Sequence, residues 1–256
     1  MLAVAADLDV NAVHVHHGLR PSAAEDAAAA EAIAERIGVP LRVEHAGVPD
    51  GPNLEARARD VRHGLVGPEA MFGHTADDQA ETMLLALLRG AGATGLAAIR
   101  PGPTHPILEL RRSETHRLCA ALELDPVFDP TNADLRFRRN RVRSELMPLL
   151  DAIGDRDAVP LAVRSADLLR DDDDLLDHLA ASIDPTDARA LADAALPLSR
   201  RAVRRWLMRD GYPPSAAAVA RVLAVADGSI TACEVAGVGR VSRSRQRLSV
   251  DEAPGQ

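Results

Sequence analysis

Apolar and polar positions alternate in blocks along the first fifty residues, and the blocks predict strands and a helix in turn. Residues 11–16 (NAVHVH) have the period of two that is typical of a short strand. A helix is predicted to begin at Ser22, which opens a capping box, and to end at Gly38. A second strand is predicted over residues 39–45. The order strand, helix, strand indicates an α/β fold with a parallel sheet covered by helices.

The pattern continues with less regular spacing up to the middle of the chain. Asn53 is expected to cap a helix, residues 70–73 to form a very short strand, and Thr75 to open the next helix. Residues 90–106 are rich in Gly and Pro and predict a long loop, which is typical of a functional segment. A further helix is predicted over residues 113–122.

The second half of the chain predicts a small, mainly helical domain after a connector. An arginine-rich helix is expected over residues 135–150. Residues 151–174 predict a helical connector that ends in four aspartates, which are interpreted as a solvated surface without a function. Helices are predicted over residues 187–209 and 214–226, and strand-like alternation follows over residues 230–250.

Composition narrows the class of protein. The chain has 256 residues, 46% of them hydrophobic and only 2% aromatic, with a net charge of -8. No window is long and apolar enough for a membrane span, and the N-terminus lacks the features of a signal peptide. Cys119 and Cys233 form no CxxC pair, which argues against a disulfide framework and favours a cytoplasmic location.

All 30 basic residues are arginine, and this has two consequences for function. A Walker P-loop and a Schiff-base mechanism both need a lysine, so both are excluded. The arginines are also uneven in distribution, because residues 195–250 hold ten of them against three acids. Such a local basic patch binds phosphates even when the whole chain is acidic.

The segment GHTADDQAET, residues 73–82, concentrates polar chemistry at the start of an apolar helix. Thr75 as N-cap and Asp78 three residues later predict a capping box. Asp77 and Glu81 lie four residues apart and therefore share a helix face. We expect that face at the sheet edge where α/β proteins bind ligands, with the two carboxylates holding Mg²⁺ or orienting and deprotonating an amine.

Histidines supply an alternative interpretation. His14, His16 and His17 close the first predicted strand, at the edge of the sheet where His74 is expected. Together with the neighbouring aspartates they have the residue types of a metal site. A metal-dependent phosphohydrolase is therefore the competing hypothesis.

The segment FRRNRVR, residues 137–143, is the third candidate for chemistry. Arg139 and Arg143 are four residues apart and predict one cationic clamp. Guanidinium groups bind phosphate oxygens in pairs, so phosphate binding is favoured over a merely solvated helix face.

Taken together, these motifs resemble the tRNA(Ile)-lysidine synthetase family. The resemblance covers nearly the whole chain in order, and five stretches carry it: VHVHHGLR (13–20), NLEARARDVRH (53–63), GHTADDQAETMLLALLRGAGATGLAAI (73–99), DPTNADLRFRRNRVR (129–143) and the helical region after them. It implies a Rossmann-like PP-loop domain over residues 1–133, an arginine-rich helix and connector over 134–180, and a small substrate-binding domain over 181–250.

The resemblance also implies a reaction and its participants. ATP would adenylate the C2 oxygen of the wobble cytidine in the CAU anticodon of tRNA(Ile), and the amine of free lysine would then displace AMP. Mg²⁺ would accompany ATP, and a homodimer is among the expected partners. The implied catalytic residues are His74, Asp77, Asp78 and Glu81, with Asp77 and Glu81 also as Mg²⁺ ligands. The implied ATP and phosphate contacts are His14, His17, Arg139, Asn140 and Arg143, and the implied tRNA contacts are Arg136, Arg138, Arg204 and Arg205.

One departure from the family pattern is serious. The family opens with a strand and an SGGxDS loop whose backbone amides cradle phosphates, whereas no glycine precedes Gly18 here. Residues 1–10 resemble the helix that normally follows that loop. We interpret this as a start codon assigned too far downstream. We therefore expect the printed chain to bind ATP poorly and its sheet to lack the first strand. The remaining hypothesis is a non-catalytic tRNA-binding relic.

Overall fold

The computed structural model describes residues 9–16, 23–47, 61, 64–124, 126, 130–209 and 213–251. The helix expected at the N-terminus, the capping roles of Ser22 and Asn53, and His17 lie outside these residues, as does the side chain of His16. Of the helix expected after Asn53, residues 61 and 64–66 are described, and they are helical. The chain divides into two compact units. Unit 1 comprises residues 1–91 and 98–166, and unit 2 comprises residues 92–97 and 167–256.

Unit 1 contains a parallel β-α-β arrangement, as the alternating pattern predicts. Strand β1 (Ala12–His16) pairs in parallel with β2 (Leu41–His45), in a register that aligns Ala12 with Leu41. Helix α1 (Ala23–Arg36) connects them, and Gly38 takes a φ of 71° directly after it. A positive φ suits glycine because it has no Cβ, and this is why the helix ends there.

The helices that carry the candidate site follow in unit 1. They are α2 (Ala76–Leu88) and α4 (Arg112–Ala121), with the short α3 (Ala93–Leu96) between them in the chain. A 3₁₀ turn over Pro130–Ala133 leads to an arginine-rich helix made of α5 (Arg138–Arg141), a π-helical turn (Val142–Leu146) and α6 (Met147–Gly154). Helix α7 (Ala158–Ala181) then begins in unit 1 and ends in unit 2.

A hydrophobic cluster fixes α2 against the arginine-rich helix. Ala76 and Ala80 on α2 pack with Val142, Met147 and Val159, and all five side chains are buried. Burying such apolar surface stabilises the contact by about 25 cal/mol per Å². The same packing brings the polar first turn of α2 next to the arginines of FRRNRVR.

Unit 2 combines helices with an antiparallel sheet. Its remaining helices are α8 (Ala188–Asp193), α9 (Leu196–Trp206) and α10 (Ala216–Asp227), and its strands are β3 (Ala232–Val235), β4 (Gly239–Ser244) and β5 (Arg247–Asp251) in the order β3-β4-β5. Their shared core includes the fully buried Val203, Leu207, Val222 and Val241.

Four sequence-based expectations about local structure are wrong. Residues 70–73 form no strand, because the Phe72 N–H donates to the Thr104 carbonyl at 2.8 Å instead of to a sheet. The helix expected from Ser113 begins one residue earlier, where the Glu114 carboxylate accepts from the Arg111 N–H at 2.8 Å. The single helix expected over residues 187–209 is two helices, with Pro197 in the first turn of the second, a position where its missing N–H costs nothing.

The fourth concerns the aspartate run of α7. It is not wholly a solvated surface, because Asp173 is only 1% exposed. Its carboxylate accepts from Thr94 Oγ1 at 2.9 Å and from Arg201 Nη2 at 2.6 Å. These two partners account for one buried charge within the four-residue run.

Candidate functional site

The first turn of α2 is organised by the predicted capping box. Thr75 is the N-cap residue, and both its backbone N–H and its Oγ1 donate to Asp78 Oδ2 at 2.9 Å. This prediction is confirmed. Capping engages one oxygen of Asp78, and the other oxygen accepts from Arg112 Nη2 at 3.1 Å. Asp78 is therefore both a helix cap and a charged group of the site.

Asp77 is held by two consecutive arginines at the start of α4. Arg111 donates in a fork, with Nε at 3.2 Å from Oδ2 and Nη2 at 3.1 Å from Oδ1, and the Arg112 N–H donates to Oδ2 at 2.7 Å. Burial alone would raise the pKa of Asp77, but these hydrogen bonds and the two positive charges outweigh it and lower that pKa. Asp77 is therefore anionic at neutral pH.

Glu81 lies at the centre of the site and is only 2% exposed. Arg143 donates from Nε to Oε1 at 2.7 Å and from Nη2 to Oε2 at 3.1 Å, while Arg112 Nη2 donates to Oε1 at 3.0 Å. A third guanidinium, that of Arg139, lies 3.7 Å from Oε2. The hydrogen bond to Glu81 raises the pKa of Arg143 against the opposing effect of burial. A buried carboxylate needs such partners, since an unpaired buried charge is very costly.

These contacts define an acid–arginine network of seven side chains in unit 1. Its members are Asp77, Asp78, Glu81, Arg111, Arg112, Arg139 and Arg143. Three carboxylates and four guanidinium groups give these seven side chains a net charge of +1, and the Asp157 carboxylate, which pairs with Arg111, balances it. It joins the first two turns of α2 to the starts of α4 and of the arginine-rich helix, and groups of both signs are present for a zwitterionic or phosphorylated ligand.

Arg139 and Arg143 share one side of their helix, as their four-residue spacing predicts, but in this structure they contact protein groups. Arg139 Nη2 donates to Thr82 Oγ1 at 3.1 Å, and Arg143 binds Glu81. Their guanidinium groups are still accessible, with side chains 36% and 31% exposed. Their expected role at phosphate remains a prediction.

The carboxylates do not fit a Mg²⁺ ion in this arrangement. Both oxygens of Glu81 accept from arginine, and so do both oxygens of Asp77. Among the described residues, no group of three or more His, Cys, Asp or Glu side chains is placed to hold a metal ion. The metal-centre hypothesis that joined the histidines to these aspartates therefore has no support in the described part of the chain.

The candidate histidines have different surroundings. The ring of His74 lies against that of His105 with centroids 5.1 Å apart, and Phe72 stacks on His74 at 5.9 Å. Burial would raise the pKa of Asp78, but the hydrogen bonds from Thr75 and the charge of Arg112 outweigh it and lower that pKa, with a smaller electrostatic contribution from His74. His14 lies in β1 opposite Val43, and no contact between described residues links it to the network.

Other predicted contacts have structural roles. The buried Asn140 donates from Nδ2 to the carbonyls of Thr131 at 2.6 Å and Asp134 at 2.9 Å, and thereby fixes the turn before the arginine-rich helix. Arg136 pairs with Asp134 on the surface, and Arg138 is exposed. A direct role for Asn140 at a phosphate would require its amide to leave both carbonyls.

In unit 2, Arg204 and Arg205 belong to the last turn of α9, and both are exposed. Arg205 Nη2 donates to the Ala180 carbonyl at 3.0 Å. Their expected contact with tRNA remains a prediction.

A cavity of about 180 Å³ opens beside the network in unit 1. Its polar lining comes from Asp77, Arg111, Arg143 and Asp151, and its apolar lining comes from Met147, Pro148 and Val159. The volume is about six times the roughly 30 Å³ that one water takes in the liquid, enough for a small ligand.

Arg111, Arg112 and His105 are residues of this site that the sequence reasoning missed. The signal was present, since two adjacent arginines lie between the Gly/Pro-rich loop and the predicted helix start at Ser113. Arginine side chains at such a place need anionic partners, and the only unexplained acids of the predicted site were those of GHTADDQAET.

No helix in the described residues is both long and apolar enough to cross a membrane.

Comparison with known proteins identifies the family of the chain. Residues 2–150 match the model of the PP-loop domain family. The chain is 42% identical over 247 residues to the tRNA(Ile)-lysidine synthase of Nocardia farcinica, covering 90% of this chain and 76% of that protein. It is 41% identical over 233 residues to that of Mycobacterium tuberculosis H37Rv, covering 82% and 72%, and 38% identical over 216 residues to that of Cutibacterium acnes, covering 77% and 69%.

Among solved structures, a U34-tRNA thiolase from Methanococcus maripaludis aligns with a TM-score of 0.48 at 17% identity, over 64% of this chain and 63% of that one. The phosphohydrolase and relic hypotheses receive no support from these relatives. The fold is the Rossmann-like α/β fold of PP-loop proteins, and the chain belongs to the tRNA(Ile)-lysidine synthase family.

Proposed function

We propose that this chain catalyses the ATP-dependent conversion of the wobble cytidine of tRNA(Ile) to lysidine. In the first step the C2 oxygen of the cytidine attacks the α-phosphorus of ATP, and pyrophosphate leaves. In the second step the ε-amine of free lysine attacks C2, loses a proton, and AMP leaves with the C2 oxygen. Family membership supports ATP and tRNA(Ile) as substrates, and the acid–arginine network supports the residue roles that follow.

Arg139 and Arg143 are the proposed phosphate-binding residues. Their guanidinium groups lie on one side of the arginine-rich helix and are about one third exposed. Arginine forks match phosphate oxygens, and stabilising charge on the transferred group is the main task in such reactions. To bind phosphate, Arg139 must release Thr82 and Arg143 must release Glu81. Both side chains are partly exposed and flexible enough to do so.

Asp77, Asp78 and Glu81 are the proposed amine-binding residues, and His74 adjoins them. A lysine ε-amine is protonated at neutral pH, so it must be attracted as a cation and must then lose a proton before or during attack. Asp77 lines the cavity beside the network, so it is the proposed proton acceptor. The apolar lining from Met147, Pro148 and Val159 suits the methylene stem of lysine.

Mg²⁺ has a limited role in this proposal. Mg²⁺ enters the proposal only as the ion that accompanies the ATP phosphates, because the site carboxylates are committed to arginine.

The tRNA and the oligomeric state complete the proposal. Exposed arginines, among them Arg138 and Arg204, are proposed to contact the tRNA backbone. Each phosphate contact should appear in the slope of affinity against salt concentration. The protein is proposed to act as a homodimer, which sedimentation equilibrium tests directly.

The experiment that tests the function is lysine-dependent AMP release in the protein with its native N-terminus. Asp77→Asn keeps the shape of the side chain and removes its charge, so it should abolish AMP release. Asp155→Asn is the matched control, since Asp155 is an exposed residue after α6 and should leave the rate unchanged. Wild-type turnover by Asp77→Asn would contradict the proposed role, and tRNA binding without AMP release in the unsubstituted protein would indicate a non-catalytic relic.

A further inference from the structure

Arg112 is the one described residue that contacts all three carboxylates of the network. Its guanidinium Nη2 lies 3.1 Å from Asp78 Oδ1 and 3.0 Å from Glu81 Oε1. Its backbone N–H donates to Asp77 Oδ2 at 2.7 Å. The residue opens helix α4, so its backbone position is fixed by the helix as well as by Asp77.

The charges around Glu81 are wrong for an amine in this state. Two carboxylates, those of Asp78 and Glu81, face three guanidinium groups, those of Arg112, Arg139 and Arg143. Their net charge is +1, and it acts in a site where Glu81 is 2% exposed and screening by water is weak. A lysine ammonium group is therefore repelled from these carboxylates, although they are its proposed partners.

The three arginines are not held equally. Arg139 lies 3.7 Å from Glu81 and is the most exposed of the three. Arg143 shares its side of the arginine-rich helix, but it donates twice to Glu81 and lies 3.9 Å from Asp78. Arg112 is the least exposed, at 25%, and bridges two carboxylates. An incoming polyphosphate meets Arg139 and Arg143 on their shared side of the helix and offers each guanidinium group a pair of anionic oxygens in exchange for the carboxylates.

We propose that Arg112 is a positioning residue and that phosphate controls lysine binding by charge exchange. When Arg139 and Arg143 turn to phosphate, Asp78 and Glu81 keep only Arg112. The local charge then changes from +1 to -1, and one ammonium group neutralises it. Arg112 holds the two carboxylates at a fixed separation while lysine binds. This inference rests on the proposed function and adds an order of binding, with phosphate before lysine.

Calorimetric titration of L-lysine into the protein with its native N-terminus tests the exchange, with inorganic pyrophosphate as the phosphate probe. Pyrophosphate should tighten lysine binding at least about tenfold, within the usual range of coupling between two sites. Sodium chloride at the same ionic strength is the control, because simple screening affects both signs of charge. Lysine should tighten pyrophosphate binding by the same factor. Equal lysine affinity with and without pyrophosphate would overturn the proposal.

The positioning role of Arg112 is tested in the protein with its native N-terminus. Arg112→Gln removes a positive charge, so the KM for lysine should stay the same or fall, whereas kcat for lysine-dependent AMP release should fall at least tenfold. Arg112→Lys, which keeps the charge, should recover part of kcat. Arg117→Gln on the same helix is the control, since Arg117 is 77% exposed and outside the network.

The outcomes separate this inference from the proposed function. A raised KM with unchanged kcat in Arg112→Gln would overturn the positioning role, because lost binding and not lost alignment would then explain the defect. If the unsubstituted protein releases AMP with lysine but binds lysine independently of pyrophosphate, the function stands and the charge exchange is wrong. If it releases no AMP with lysine, the proposed function itself fails.

Discussion

Replacing Glu81 with glutamine should destabilise unit 1 far more than an ordinary loss of one ion pair. Glu81 is 2% exposed and accepts three hydrogen bonds from Arg112 and Arg143, with Arg139 nearby. Removing one partner of a fully buried pair costs about 3–5 kcal/mol. Here the arginines left behind are 25–36% exposed and regain some hydration, so we expect roughly 1–3 kcal/mol.

The assay is urea unfolding followed by far-UV circular dichroism. The single tryptophan, Trp206, lies in unit 2, so its fluorescence does not report on unit 1 and serves as an internal reference. Glu145→Gln is the matched control, because Glu145 is 45% exposed and forms one helical pair with Arg141. The control should change stability by less than about 0.5 kcal/mol.

A double-mutant cycle sharpens the test. Arg143→Gln combined with Glu81→Gln should cost less than the sum of the two single changes, because each alone leaves the other charge without its partner. The coupling should fall in the range of roughly 0.5–3 kcal/mol. If Glu81→Gln is as mild as Glu145→Gln, or if the two substitutions are additive, the network does not hold Glu81 as described.

Three further predictions concern other parts of the molecule. Leu207→Ala removes a side chain 1% exposed in the core of unit 2 and should lower its stability by roughly 2–5 kcal/mol, measured by Trp206 fluorescence; a loss below 1 kcal/mol would contradict the packing. Burial raises the pKa of the Cys233 thiol, so Cys119 should react first with Ellman's reagent at neutral pH, and equal rates would argue against that burial. Asp77 and Asp78 have folded pKa values below the ordinary 3.8. Their contribution to the free energy of unfolding is therefore complete above pH 3.8 and is lost as the pH falls through the lower folded values. A loss of stability that begins near pH 6 would contradict this.

Local sequence signals predicted the local structure well. The capping box of Thr75 and Asp78 involves residues three apart, so its chemistry can be read directly from the sequence. The β1-α1-β2 order follows from periodicity and from the glycine at position 38. The four-residue spacing of Arg139 and Arg143 correctly predicted that both lie on one side of their helix, although it did not indicate that Glu81 lies there.

Contacts between distant residues could not be predicted in the same way. Arg112 is 31 residues from Glu81 in sequence, and Arg143 is 62 residues from it. Periodicity indicates which face a residue occupies but not which distant element packs there, so the acids were assigned to Mg²⁺ while arginines hold them. Asp173 was missed for the same reason, because its partners Thr94 and Arg201 lie 79 and 28 residues away.

The most direct test of the whole account is transfer of radiolabelled lysine to tRNA(Ile) carrying a CAU anticodon. The protein is used with its native N-terminus, identified by mass spectrometry of its N-terminal peptide, together with ATP and Mg²⁺. The account predicts that one AMP is released for each lysine transferred, and that Glu81→Gln abolishes the transfer while Glu145→Gln does not. Undiminished transfer by Glu81→Gln would contradict the assignment of the acid–arginine network as the catalytic site.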